Sequence, residues 1–216
     1  MSGCLCEATD HHFTPARARQ DLATYRRRGP TGTARVILQS LRELDLRPET
    51  MLDIGAGVGV LHHELLQRGA GQAVHLEAAG AFVEVAKEET ARRGHQGRVS
   101  FLHGDAVGMT AELAAADLVA LDRVVCCYPE FAALLNVSTA KARRYFALSY
   151  PHDRWYVRSH TWWKNAQRRR AGDRFRTFVH PVAAIRALVA AAGFEVRCSR
   201  STLVWEVLIC ARRDVA

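Results

Sequence analysis

No apolar run in the sequence approaches the ~20 residues that a helix needs to cross a bilayer, so stable membrane insertion is not expected. No leader pattern is expected either, because Cys4, Glu7, Asp10 and His11 interrupt the opening stretch. The expected location is the cytoplasm, where the six cysteines should be thiols and not disulfides. Internal repeats and linker-like segments are also missing, so the 216 residues read as a single domain with one core. No set of Cys and His has a standard zinc spacing. Cys4-Leu5-Cys6 followed by adjacent His11 and His12 does not qualify, and no metal is assigned. Acidic residues are in the minority, 22 against 30 Lys and Arg, which gives a net charge of +8. That excess attracts anions: an acidic small molecule, a nucleic acid or an anionic membrane surface.

The chain is organised around Met51-Leu52-Asp53-Ile54-Gly55-Ala56-Gly57-Val58-Gly59-Val60-Leu61. A short apolar run of this kind reads as a buried parallel strand. The glycines then supply a turn open to positive φ, and the spacing from Val60 to Arg68 predicts a helix. A ligand lying at that helix N-terminus meets unpaired N–H groups and the positive end of the dipole. Asp53 would repel a pyrophosphate there and suits an ammonium or sulfonium group. A second strand over Gln72 to Leu76 ends at Glu77, about 20 residues after the turn, where a carboxylate accepts from a ribose diol. A third strand, Arg98 to His103, runs into Gly104-Asp105-Ala106, and Asp105 is also a candidate N-cap for a helix starting near Val107. A fourth strand, Ala116 to Asp122, leads into Arg123-Val124-Val125-Cys126-Cys127-Tyr128. Asp122 and Arg123 are read either as an internal ion pair or with Asp122 facing a ligand ammonium.

These stretches resemble the class I S-adenosylmethionine-dependent methyltransferases, whose first motif has the form (D/E)-x-G-x-G-x-G, matched from Asp53 to Gly59. The likeness covers about residues 48–210, and within it the chain is most similar to magnesium-protoporphyrin O-methyltransferases and their bacterial relatives. The resemblance implies a Rossmann-like α/β fold, with a mostly parallel sheet, an antiparallel strand at its C-terminal end and helices on both faces. It implies a helical cap or lid over residues 1–46 and a catalytic core over 47–210. It also implies S-adenosyl-L-methionine as cofactor, held by Asp53, Gly55, Ala56, Gly57, Glu77, Ala78, Asp105, Ala106 and Asp122. Tyr128 and Cys127 become the candidates for acid–base or nucleophilic work.

The least generic segment is residues 152–180, rich in Arg, Trp and Phe, which reads as a substrate-recognition insertion. With it, Tyr25, Arg123, Arg154, Trp155, Trp162 and Trp163 are the expected contacts for a small, anionic and planar acceptor. O-methylation of a carboxylate or hydroxyl is the leading expectation. RNA methylation, methylation of a thiol or thiolate-bound metalloid, and cofactor binding without turnover are the alternatives. Neither the acceptor nor the oligomeric state can be read from the sequence.

Overall fold

The computed structural model describes residues 8–213. A short helical segment over residues 8–12 precedes helices α1 (Pro15–Arg28) and α2 (Gly32–Glu43). Alternation follows: β1 (Thr50–Ile54), α3 (Val60–Gln67), β2 (Gln72–Glu77), α4 (Gly80–Arg92), β3 (Val99–His103) and β4 (Ala116–Asp122). A 3-10 turn over Val125–Cys127 leads to α5 (Phe131–Lys141) and β5 (Ala142–Pro151). The chain closes with α6 (Trp155–Arg170), α7 (Val182–Ala191), β6 (Phe194–Ser201) and β7 (Trp205–Arg212). Local chemistry sets these bounds. Thr14 Oγ1 accepts from Arg17 N at the start of α1, Pro15 sits at its first turn, and Gly29 ends it with φ 67°.

The seven strands lie in the order β3-β2-β1-β4-β5-β7-β6. β1 to β5 are parallel, and β7 pairs antiparallel with both β5 and β6. This is the mostly parallel sheet with an antiparallel C-terminal end that the sequence predicts. Side chains on β4 alternate between two cores. Val119 and Leu121 pack with Leu134 and Leu135 of α5 and Ile185 and Val189 of α7. Leu118 and Ala120 pack with Ile37 and Leu41 of α2 and Leu61 and Leu65 of α3. Each leucine or isoleucine fully buried here contributes about 1.5–3 kcal/mol, so the centre of the sheet is the rigid part of the molecule. A third cluster joins Leu22 and Tyr25 of α1 to Phe82 and Val85 of α4, and so fastens the N-terminal helix to the core.

Two expectations are corrected. No helix begins near Val107; residues 106–112 form turns, because Asp105 Oδ2 accepts from Gly108 N at 3.0 Å and closes a tight local loop. Asp122 and Arg123 are not hydrogen-bonded to each other. Asp122 Oδ1 accepts from Ser149 Oγ at 2.6 Å, while the Arg123 guanidinium lies 4.9 Å from the Trp205 ring centroid. Cys4 and Cys6 lie outside the described residues.

Candidate functional site

The strand order reverses between β1 and β4, and in open parallel sheets ligands bind where the C-terminal ends of strands diverge at such a point. A cavity of about 1290 Å³ opens there. The turn after β1 forms its floor. Gly55 N and Ala56 N donate to Leu76 O, and Gly57 N donates to Glu77 Oε2 at 2.9 Å. Glu77 Oε1 accepts from Ala79 N at 3.0 Å. The carboxylate is thus pinned by two backbone N–H groups, and each oxygen keeps a lone pair for a ligand hydroxyl. Burial raises the Glu77 pKa against the pull of those N–H groups. Glycine is required at position 55, where φ is 64° and a Cβ would collide with the Val124 side chain.

Asp53 lies beneath this turn, about 1% exposed, with Oδ2 2.9 Å from His62 Nδ1. Burial pushes its pKa up to about 7. Asp122, at the end of β4, is raised by burial as well. Asp105 follows β3 and accepts a hydrogen bond from the Tyr128 hydroxyl, which ties the third-strand turn to the fourth-strand loop. The carboxylates of Asp53, Glu77, Asp105 and Asp122 therefore face one cavity, together with Ala56, Ala78 and Ala106.

The loop after β4 is constrained on both sides. Arg123 adopts φ 64°, an uncommon conformation for a side chain of that size, which costs about 1–3 kcal/mol. Its N–H donates to Ser149 Oγ at 2.8 Å. Phe178 N donates to Cys126 O at 2.7 Å, and the His180 ring pairs with Tyr128 O at 2.8 Å. Cys126 and Cys127 place their sulfurs 3.9 Å apart, both against Arg123 O and both on the cavity wall. The hydrogen bond between them lowers the Cys126 pKa and raises that of Cys127.

Helix α6 makes the opposite wall with Tyr156, Val157, His160, Thr161, Lys164 and Arg168. Arg17 of α1 and Phe13 complete the rim, and His12 crosses to Asp173 at 2.6 Å while stacking on Phe175 at 4.3 Å. Tyr25 lines the cavity, although its hydroxyl is committed to Glu64 Oε1 at 2.8 Å. Arg123, Cys127 and Tyr128 line it too. Arg154, Trp155, Trp162 and Trp163 do not: they stand outside the lining. Tyr156, Lys164 and Arg168 belong to the basic aromatic insertion that the sequence marks out, though they are not among its expected contacts, and His160 was not anticipated. Their spacing of four is the signal that places 156, 160, 164 and 168 along one side of a helix.

The site's chemistry fits a ligand that carries positive charge at one end and hydroxyl and amine donors at the other. Two buried carboxylates sit at the turn, a third spans two strands, and the open backbone at Gly57 leaves only Phe82 within reach of a Cβ, at 3.9 Å.

Comparison with known proteins agrees. Residues 51–142 match the family described as a methyltransferase domain. The ribosomal protein L11 methyltransferase of Edwardsiella ictaluri (strain 93-146) is 28% identical over 117 residues, which are 51% of this chain and 40% of that protein. The chain thus spans less than half the length of that curated relative. The magnesium protoporphyrin IX methyltransferase of Synechocystis PCC 6803, solved with bound SAM, superposes with a TM-score of 0.70 at 19% identity, covering 96% of this chain and 97% of that one. The [4+2]-cyclase SpnF superposes with a TM-score of 0.62 at 13% identity, covering 83% of this chain and 80% of that one, so the shared fold alone does not fix a reaction. The motif, the strand order and the match thus fall on one segment: residues 51–142 resemble a methyltransferase domain, on a fold shared with a solved structure that holds SAM.

Proposed function

We propose that the protein methylates a small, anionic acceptor at oxygen, on a carboxylate or a hydroxyl. The observation that carries this reading is the asymmetry of the cavity at the glycine turn. The carboxylates of Asp53, Glu77, Asp105 and Asp122 cluster around the glycine turn, and Arg17, Arg123, Lys164 and Arg168 outnumber Asp21 in the remainder. S-adenosylmethionine, when bound, supplies an activated methyl group on a sulfonium.

The residues of the chain then have positioning roles. Glu77 holds the ribose diol, Asp105 accepts from the adenine amine, and Asp53 and Asp122 face the ammonium. Tyr128, fixed by its bond to Asp105, stands between the cofactor turn and the acceptor wall. The cations orient an acceptor carboxylate, which is already ionised at neutral pH and needs no general base. Closure of α6 and the His12–Asp173 contact over the mouth would exclude water while the acceptor is aligned. The Synechocystis neighbour's substrate, a magnesium protoporphyrin, carries carboxylates on a flat apolar ring, and the mixed aromatic and cationic wall suits that class.

Calorimetric titration with S-adenosylmethionine and S-adenosylhomocysteine tests the cofactor half. Micromolar binding by the wild type, lost by about a hundredfold in Glu77→Ala, is expected; a lost charge-assisted hydrogen-bond pair is worth that much. A folded wild type that binds neither compound sinks the reading. An acceptor screen that starts with porphyrin carboxylates and ends with single-stranded RNA then tests the other half.

A further inference from the structure

Helix α6 is anomalous for a helix of a globular domain. Of its 16 residues only Val157 is buried. Its outer face carries the three most exposed aromatic side chains among the described residues: Trp155 at 78%, Trp162 at 69% and Trp163 at 50% exposure. Leu203, at the tip of the β6–β7 hairpin, is 77% exposed. The hairpin is joined to the start of the helix, since the Tyr156 hydroxyl donates to Leu203 O at 2.7 Å. Apolar surface of this kind costs free energy in water, and isolated soluble domains rarely concentrate it on one helix.

Its periodicity is as telling as its exposure. At 100° per residue, Trp155, Trp162 and Ala166 fall on one stripe, with Arg158 and Arg169 along one flank and Trp163 and Arg170 along the other. All three arginines are exposed. The sequence Trp155 to Arg170 contains no acidic residue, and Arg154 precedes it. An apolar central stripe with tryptophans, edged by long basic side chains and free of carboxylates, is the pattern of a helix lying in the headgroup layer of an anionic membrane. Tryptophan is favoured at that depth. A single-stranded nucleic acid fits less well, because such ligands lie in a groove that guides the backbone past stacking rings. Here the rings project from the convex side of one helix, beside an aliphatic hairpin tip.

We infer that the outer face of α6, with Leu203, docks the protein peripherally on anionic lipid bilayers. No helix among the described residues is long and apolar enough to cross a membrane, so docking is at the surface. Leu203 belongs to both the docked face and the cavity lining, so docking leaves the cavity beside the bilayer surface. The inference stands apart from the proposed reaction and needs no turnover to test.

The experiment is co-sedimentation of the full chain with vesicles of phosphatidylcholine alone and of equimolar phosphatidylcholine and phosphatidylglycerol. Tryptophan fluorescence is followed with brominated phosphatidylcholine in both. Partition onto the anionic vesicles, with quenching, is expected to exceed partition onto the neutral ones by tenfold or more, on the order of a fivefold gain for each engaged arginine. Trp155→Ser/Trp162→Ser should lower the anionic partition by about tenfold, and Trp155→Phe/Trp162→Phe should restore most of it. Arg158→Gln/Arg169→Gln/Arg170→Gln should remove the preference for anionic lipid. These side chains are exposed, so circular dichroism should show unchanged melting in each variant. Equal partition onto both vesicles, no partition by the folded protein, or indifference to the tryptophan pair would each overturn the inference. So would an oligouridylate that displaces the protein from anionic vesicles while quenching the same tryptophans.

Discussion

In the proposed cofactor site the pivotal residue is Asp53, whose burial makes it a titrating group near neutrality. With its pKa pushed up to about 7, it is largely protonated at pH 6 and largely ionised at pH 8. Only the ionised form attracts an ammonium. Affinity for S-adenosylmethionine should therefore rise as pH increases from 6 to 7.5, by just under tenfold if only that form binds. The ligand's own amine, near 8 when free, loses little charge over that interval. Isothermal titration at several pH values in buffers of different ionisation enthalpy should show proton release below pH 7, as the ligand's charge drives Asp53 to ionise. In Asp53→Asn the slope should flatten. An affinity that is constant from pH 6 to 7.5 in the wild type would mean that Asp53 does not face the ligand's charge. The acidic residue before the glycines was legible in the sequence; its raised pKa was not, because that depends on the helix packed beneath it.

The elements β1, β2 and α3 enclose an arrangement that no local pattern announces. His62 and His63 leave α3 toward the sheet, His75 stands beside Asp53 in the parallel register of β1 and β2, and His95 follows α4. His63 and His95 bring their Nδ1 atoms within 3.1 Å, and Gly59 has no Cβ because the His62 ring occupies that space. Neither nitrogen of His75 has a hydrogen-bond partner in the protein, nor does Nε2 of His62 or His63. Burial lowers the pKa of His62 to about 3 and that of His63 to about 2, and holds His75 well below the usual value. A histidine whose folded pKa is depressed contributes stability that is full above its unfolded pKa, near 6.5. That stability is lost progressively as pH falls toward the folded pKa. Asp53, Glu77 and Asp122, with raised pKa values, act in the opposite direction, so the informative quantity is a difference between variants. His75→Leu should match or exceed the wild type at pH 7, since it removes unpaired buried polar atoms worth about 1–3 kcal/mol. Its advantage in melting temperature should grow as pH is lowered to 5. A difference that stays constant with pH would show that His75 is not the neutral buried group described here. Positions 62, 63, 75 and 95 share no spacing, so only the strand register could reveal the cluster. The first four strands and the glycine turn were plain in the sequence, because each rests on local apolar runs and turn residues. The inward face of α6 was not, because aromatics and cations occupy both of its sides and periodicity alone does not say which side has a partner.

At the scale of the molecule, the cavity is assembled from parts that are distant in the chain: residues 12–17, the ends of β1, β2 and β4, the inner face of α6 and the β6–β7 hairpin. On the proposed reading the sheet fixes the cofactor half. The acceptor half depends on a helix held largely by polar contacts, such as Asn165 Nδ2 to Thr177 O at 2.7 Å and Thr177 N back to Asn165 Oδ1 at 3.1 Å. The two halves should then respond separately to mutation. Lys164 is an exposed residue at the rim of the cavity, its ammonium 5.2 Å from the Trp163 ring centroid, so it can meet an incoming acceptor carboxylate without touching the glycine turn. Lys164→Glu reverses one charge at the rim of the cavity. It should raise the KM of an anionic acceptor by about tenfold and leave the Kd of S-adenosylhomocysteine within about twofold. The ester of the same acceptor, tested as a competitive ligand, should be indifferent to the change. Raising the salt concentration should weaken acceptor binding in the wild type and narrow the gap to the variant, because screening acts on the open half of the cavity first. If Lys164→Glu altered cofactor affinity as strongly as acceptor KM, the two walls would be one cooperative unit. The division of labour between sheet and helix would then fail.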